Sequence, residues 1–158
     1  MTELTLTSMT YKFQKLEIYQ LALDYVSLIY DLAEKLPASE NFNLKSQITR
    51  AATSIALNIA EGSTSQSDPE QSRFLGIALR SFIETVACQD LIELRKYVAI
   101  EELHPSRELG SKLFAKIQSM KRFLGQSPAK ELPSADRSSV VRRPSSVLTR
   151  NSNNKNSR

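Results

Sequence analysis

Three prolines, Pro37, Pro69 and Pro105, divide this chain into stretches where apolar residues recur every three or four positions. Proline is tolerated in a first helical turn and disrupts a helix interior, so each position reads as a boundary between helices. Other turn residues are scarce, with 4 Gly in 158 residues, too few for an all-β sandwich or barrel. The pattern predicts an all-α fold, an antiparallel up-down four-helix bundle, since long helices with short connections pack against their sequence neighbours. The boundaries are residues 1–10 as a flexible N-terminus, 11–125 as the bundle, and 126–158 as a tail.

The first helix is expected from Phe13 to Leu36. Its polar residues Glu17, Gln20, Asp24, Ser27, Asp31 and Glu34 form one narrow stripe, and nearly every other position is apolar. That apolar arc is wider than a surface helix of a monomeric bundle needs, which predicts packing against another subunit. The second helix is expected from Asn41 to Glu61, with Gly62 just past its end and a core stripe of Leu44, Ile48, Ala52, Ile55 and Ile59. The third opens on Asp68-Pro69-Glu70-Gln71, with Asp68 as the cap, and runs to Tyr97. Phe74, Ile77, Ala78, Phe82, Val86, Leu91 and Leu94 are expected to point inward. The fourth spans Glu102 to Leu124 with Leu109, Leu113, Ile117, Met120 and Leu124 inward, closed by Gly125.

The tail holds eight Ser, four Asn and no aromatic residue. It cannot bury enough apolar surface to offset chain entropy and is expected to be disordered. It is also basic, with seven Lys/Arg against Glu131 and Asp136, so the net charge of +4 does not come from the body. Such an arm can bind nucleic acid electrostatically but offers no base-stacking platform.

The residue inventory disfavours an enzyme. One Cys and one His cannot build a structural zinc site, and a bundle di-metal centre needs a Glu-x-x-His on each of two helices. His104, beside Pro105, reads as a cap or a solvated side chain, and Cys88 as an inert core thiol. No glycine-rich phosphate loop is present, and no cofactor is expected. The longest apolar run, Tyr97 to Ile100, is far too short to span a bilayer. The first residues lack the features of a secretory signal, so a cytoplasmic protein without membrane contact is expected.

Two polar sets remain. Gln47, Arg50, Asn58 and Glu61 on helix 2, with Arg80 and Glu84 on helix 3, could meet in a partly buried network that fixes register or a subunit interface. Lys112, Lys116, Lys121 and Arg122 on helix 4 follow Glu108 with no further acid before Gly125. Together with Arg73 they are candidates for phosphate contact, against the alternative of a solvated face with cations compensating a helix dipole.

The segments Phe13-Gln14-Lys15-Leu16-Glu17-Ile18-Tyr19-Gln20-Leu21-Ala22, Leu36-Pro37, Gln47-Ile48-x-Arg50-Ala51-Ala52, Asn58-Ile59-Ala60-Glu61-Gly62 and Arg73-Phe74-Leu75-x-Ile77-Ala78 carry a resemblance. They resemble the bacterial four-helix-bundle proteins encoded in intervening sequences of large-subunit ribosomal RNA genes. The accessory variability determinants of diversity-generating retroelements look like relatives of that fold. The resemblance spans residues 11–125, and its most specific part is Asn-Ile-Ala-Glu-Gly; the family commonly has Trp where this chain has Tyr19. It implies a homopentamer around a central channel and, in the retroelement branch, binding to a reverse transcriptase and its template RNA. The expected function is therefore a non-enzymatic, homo-oligomeric RNA-binding accessory or scaffold. The rival is a protein–protein adaptor of the intervening-sequence type without nucleic-acid contact.

Overall fold

The structure is a computed structural model that describes residues 11–126. The expectations for residues 1–10 and 127–158 lie outside the described residues. Four helices, α1 (Glu17–Glu34), α2 (Leu44–Ser63), α3 (Asp68–Leu94) and α4 (His104–Gln126), form an all-helical bundle; short 3-10 turns at Lys12–Lys15, Ala38–Glu40 and Ile100–Leu103 complete the described elements. α1 and α3 each pack on both α2 and α4, so α1 and α3 are diagonal partners across the core. The stripe Leu44, Ile48, Ala52, Ile55 and Ile59 is buried as its spacing predicts, and so are Leu113, Ile117 and Leu124. Side chains such as Ile55 and Ile117 are fully covered, each stabilising the fold by about 2 kcal/mol of apolar transfer.

The helix ends differ from their expected places, and several of the differences have a local cause. Leu16 is extended (φ −73°, ψ 127°), so the chain from Lys12 to Lys15 is a separate turn and α1 starts only at Glu17. α2 starts at Leu44 because residues 38–40 are taken up in a 3-10 turn whose Glu40 carboxylate accepts the Leu44 N–H at 3.3 Å. Gly62 lies inside α2 and is buried, without the left-handed conformation of a helix stop. A Cβ there would sit 2.9 Å from the Cβ of Phe74 on α3, so glycine serves close approach of the two helices. Ser67, one residue before the expected Asp68, caps α3 by accepting the Glu70 N–H.

α3 ends at Leu94, earlier than Tyr97. Lys96 takes φ 55°, and Tyr97 N–H donates to Ile92 O at 3.1 Å while Lys96 N–H donates to Glu93 O at 2.9 Å, the paired bonds of a Schellman stop. α4 begins at His104, which is exposed at the boundary, and includes Gly125 in its last turn.

One expectation about apolar surface is corrected. On α1, Ile18, Ala22, Tyr25, Ile29, Leu32 and Ala33 are buried, Tyr19, Leu21, Leu23, Val26 and Leu28 are half-buried, and Tyr30 is exposed. α2 and α4 cover the helix from two sides. The correction concerns α3, which exposes three large apolar side chains. Leu91 and Leu94, expected inward, are 47% and 74% exposed, and Ile83 is 54% exposed. α3 carries apolar residues on both its faces, and its inner face includes the polar Ser81, Thr85 and Gln89.

Thr85 and Gln89 belong to a hydrogen-bonded chain across the core. Tyr25 Oη lies 2.7 Å from Thr85 Oγ1, which donates onward to Phe82 O. Gln89 Nε2 donates to Tyr25 Oη at 3.2 Å, and Ser106 Oγ donates to Gln89 Oε1 at 2.8 Å. Burial pushes the Tyr25 phenol up from its ordinary value, opposed by its bonds to Thr85 and Gln89. Satisfied on all members, the chain ties α1, α3 and α4 into one register. Gly110 makes room for it, since a Cβ there would meet the Tyr25 ring at 2.9 Å and the Phe82 ring at 3.0 Å.

Candidate nucleic-acid interface

The two polar sets meet different fates. Gln47, Arg50, Glu61, Arg80 and Glu84 are all exposed, and no hydrogen bond joins any two of them among the described residues. Gln47 and Glu84 line a groove of about 450 Å³ between α2 and α3, together with Leu91, Arg95 and Tyr97. Arg50, Asn58 and Glu61 line another, of about 500 Å³, on the side of Tyr30 and Leu57. Only Asn58 joins a cross-helix contact: its Nδ2 donates to Ser54 Oγ at 3.1 Å, and Ser81 Oγ on α3 donates to that same hydroxyl at 2.9 Å. The short hydroxyls of Ser54 and Ser81 sit deeper in the helix seam than the long side chains of Arg80 and Glu84, so they make the bond.

The cations of α4 also divide. α1 carries Glu17, Asp24, Asp31 and Glu34 and no Lys or Arg, while its neighbour α4 carries Arg107, Lys112, Lys116, Lys121 and Arg122 against Glu108 alone. Part of α4's charge therefore answers α1 within the chain. Lys116 Nζ meets Glu17 at 2.8 Å across the two helices, and Lys112 Nζ meets Glu108 at 2.9 Å one turn back. The Lys112 hydrogen bond holds the Glu108 carboxyl below its ordinary value. Arg107 is held by Asp90 and Glu93 of α3.

Lys121 and Arg122 behave differently. Among the described residues no carboxylate lies within 4.0 Å of either, nor of Arg73 or Arg80. Arg73, Gly76 and Arg80 recur at i, i+3 and i+7 on α3, which places them on one helix face. The Lys121 side chain crosses from α4 onto that face, its Cε 3.4 Å from where a Gly76 Cβ would stand. Arg73 lies over the Phe74 ring, 5.1 Å from its centroid, and this cation–π contact fixes its direction. Arg73, Arg80 and Lys121 thus stand along one face of the first half of α3, with Arg122 next to Lys121 on α4. Sequence spacing groups the lysines of α4 but not Arg80, which shares the Gly76 face of α3 that Lys121 reaches across the two helices.

Among the described residues no three His, Cys, Asp or Glu side chains are grouped to hold a metal ion. Cys88 is buried, and burial, with Glu84 adding to it, raises its thiol above the ordinary value, so it lacks the thiolate character of a reactive cysteine. No described helix is long and apolar enough to cross a membrane.

Fold and surface together define a class: an all-helical four-helix bundle with a group of cations that meet no carboxylate among the described residues. The chain belongs to the family of 23S rRNA-intervening sequence proteins, whose family model matches residues 14–119. Its fold is similar to the crystal structure of a protein with unknown function from the S23 ribosomal protein family of Bacteroides thetaiotaomicron VPI-5482. That likeness has a TM-score of 0.62 and 24% sequence identity, and covers 66% of this chain and 98% of the other. At that identity the likeness concerns the fold. No curated protein matches the chain.

Proposed function

We propose that this protein is a self-associating, non-enzymatic helical scaffold that holds RNA through its phosphate backbone. The observation that carries the reading is the cation seam of Arg73, Arg80, Lys121 and Arg122, without a carboxylate partner among the described residues. Free point charges on exposed stems neutralise phosphates without reading base sequence. Lys112 and Lys116 contribute less, because each must first leave an acid of its own chain. The exposed row Ile83, Leu91 and Leu94 supports self-association, and a closed ring would repeat a weak seam around its axis and raise its avidity. Five subunits, a cytoplasmic setting and a reverse transcriptase as partner are the finer parts of the proposal, and the sequence resemblance alone supports them.

The test is a titration of labelled RNA with the full chain across a salt series. Four phosphate contacts on a single strand give a slope of log affinity against log salt near −3, at about 0.7 per contact. Arg80→Gln and Lys121→Gln each flatten the slope by about 0.7, whereas Lys112→Gln changes it less. A flat response, or no binding at low salt, overturns the proposal.

A further inference from the structure

We infer that the RNA held at this end of the bundle is unpaired, and that Phe123 stacks on one of its bases; the inference rests on the RNA reading above. Phe123, in the last turn of α4, is 72% exposed. A lone exposed Phe is ordinary on a protein surface; the neighbours of this one set it apart. It directly follows Lys121 and Arg122, neither of which meets a carboxylate among the described residues. Phe42 is more exposed still, but the cation near it in sequence, Lys45, is engaged by Glu34 at 3.1 Å.

Successive residues of a helix step about 100° around its axis. Lys121 therefore points over the α3 seam, Arg122 outward, and Phe123 to the far side, so a strand draped over the last turn meets cation, cation and ring in order. A second planar platform lies on α3. The Arg73 guanidinium is held over Phe74, and a guanidinium plane stacks on bases much as an aromatic ring does. Two platforms flanking a short run of cations suit a strand whose bases are free to turn outward. A duplex has its bases stacked inside and can use only the cations. Its higher charge density makes electrostatics alone favour it over a single strand, so preference for the single strand runs against charge and reports stacking.

The experiment compares a labelled oligouridine strand with an RNA duplex of the same length by fluorescence anisotropy, using the full chain, Phe123→Leu and Arg122→Gln. Leucine keeps the apolar bulk and removes the ring. The single strand is expected to bind more tightly than the duplex. Phe123→Leu weakens the single strand about fivefold or more, the lower end for one base–aromatic stack, and leaves the duplex affinity, the salt slope and the melting temperature unchanged. Arg122→Gln weakens both RNAs. Tighter duplex binding, or a Phe123→Leu variant that binds the strand like the parent, overturns the inference and leaves the RNA proposal standing. Binding of neither RNA overturns both.

Discussion

Lys96 is the one described non-glycine residue with a positive φ, at 55°, and it sits where the Schellman stop of α3 needs a left-handed residue. A side chain with a Cβ pays about 1–2 kcal/mol for that conformation, and glycine does not. Part of the difference is returned by the extra freedom glycine has in the unfolded chain. Lys96→Gly is therefore expected to stabilise the fold by up to about 1 kcal/mol, read as a higher denaturant midpoint with an unchanged slope. Lys96 has no ion pair among the described residues, so its charge offers no opposing loss; a lower midpoint contradicts the strain argument. The same residue shows why the end of α3 was not legible in the sequence: Schellman stops are recognised by glycine, and here none stands at the turn.

Glu40 joins two connections of the bundle, α1 to α2 and α3 to α4. Its Oε1 accepts the Tyr97 hydroxyl at 2.7 Å, while its Oε2 accepts the Asn43 side chain at 2.9 Å and the Leu44 N–H at 3.3 Å. Led by the Tyr97 bond, these contacts lower the Glu40 carboxyl below its ordinary value of 4.5. A carboxyl lowered on folding adds stability above its unfolded value, and that contribution is lost as pH falls through the folded value. Glu40→Gln should therefore melt lower than the parent at neutral pH, with the gap closing as pH drops below the ordinary carboxylate range. A gap that is constant with pH removes the ionised Glu40 from this account. Across the elements, apolar spacing identified four helices and the inward stripes of α2 and α4, because Ile48, Ile55, Leu113 and Ile117 recur at helical intervals. It misplaced Leu91 and Leu94 because a helix that is apolar on two faces offers no single stripe to follow. Side chains that cap by reaching across a connection, as Glu40 does, leave no local signature. The cation seam was legible only in part: Arg73, Lys121 and Arg122 were identified from charge, whereas the pairing of Lys112 and Lys116 with acids and the place of Arg80 follow from packing.

At the scale of the whole molecule, the wide apolar arc of α1 and the exposed row of α3 lead to the same expectation by different routes, and the second can be tested by substitution. Ile83, Leu91 and Leu94 stand on an outward face at i, i+8 and i+11, with the groove beside Gln47, Glu84 and Tyr97 running along it. Removing such a row from water on assembly contributes about 25 cal/mol per Å² of apolar surface, while leaving it bare adds nothing to the fold of one chain. Ile83→Lys combined with Leu94→Lys tests this directly. Both side chains are more than half exposed, so the double variant should change the chain's own stability by no more than about 0.5 kcal/mol per site. Light scattering should show its particle mass falling toward that of one chain, while circular dichroism keeps the helical signal. RNA affinity should fall with the mass even though no cation of the seam has been altered, because avidity depends on the number of copies joined. If the mass is unchanged, assembly does not use α3; if the mass falls and RNA affinity holds, each subunit binds on its own and the seam needs no ring to amplify it.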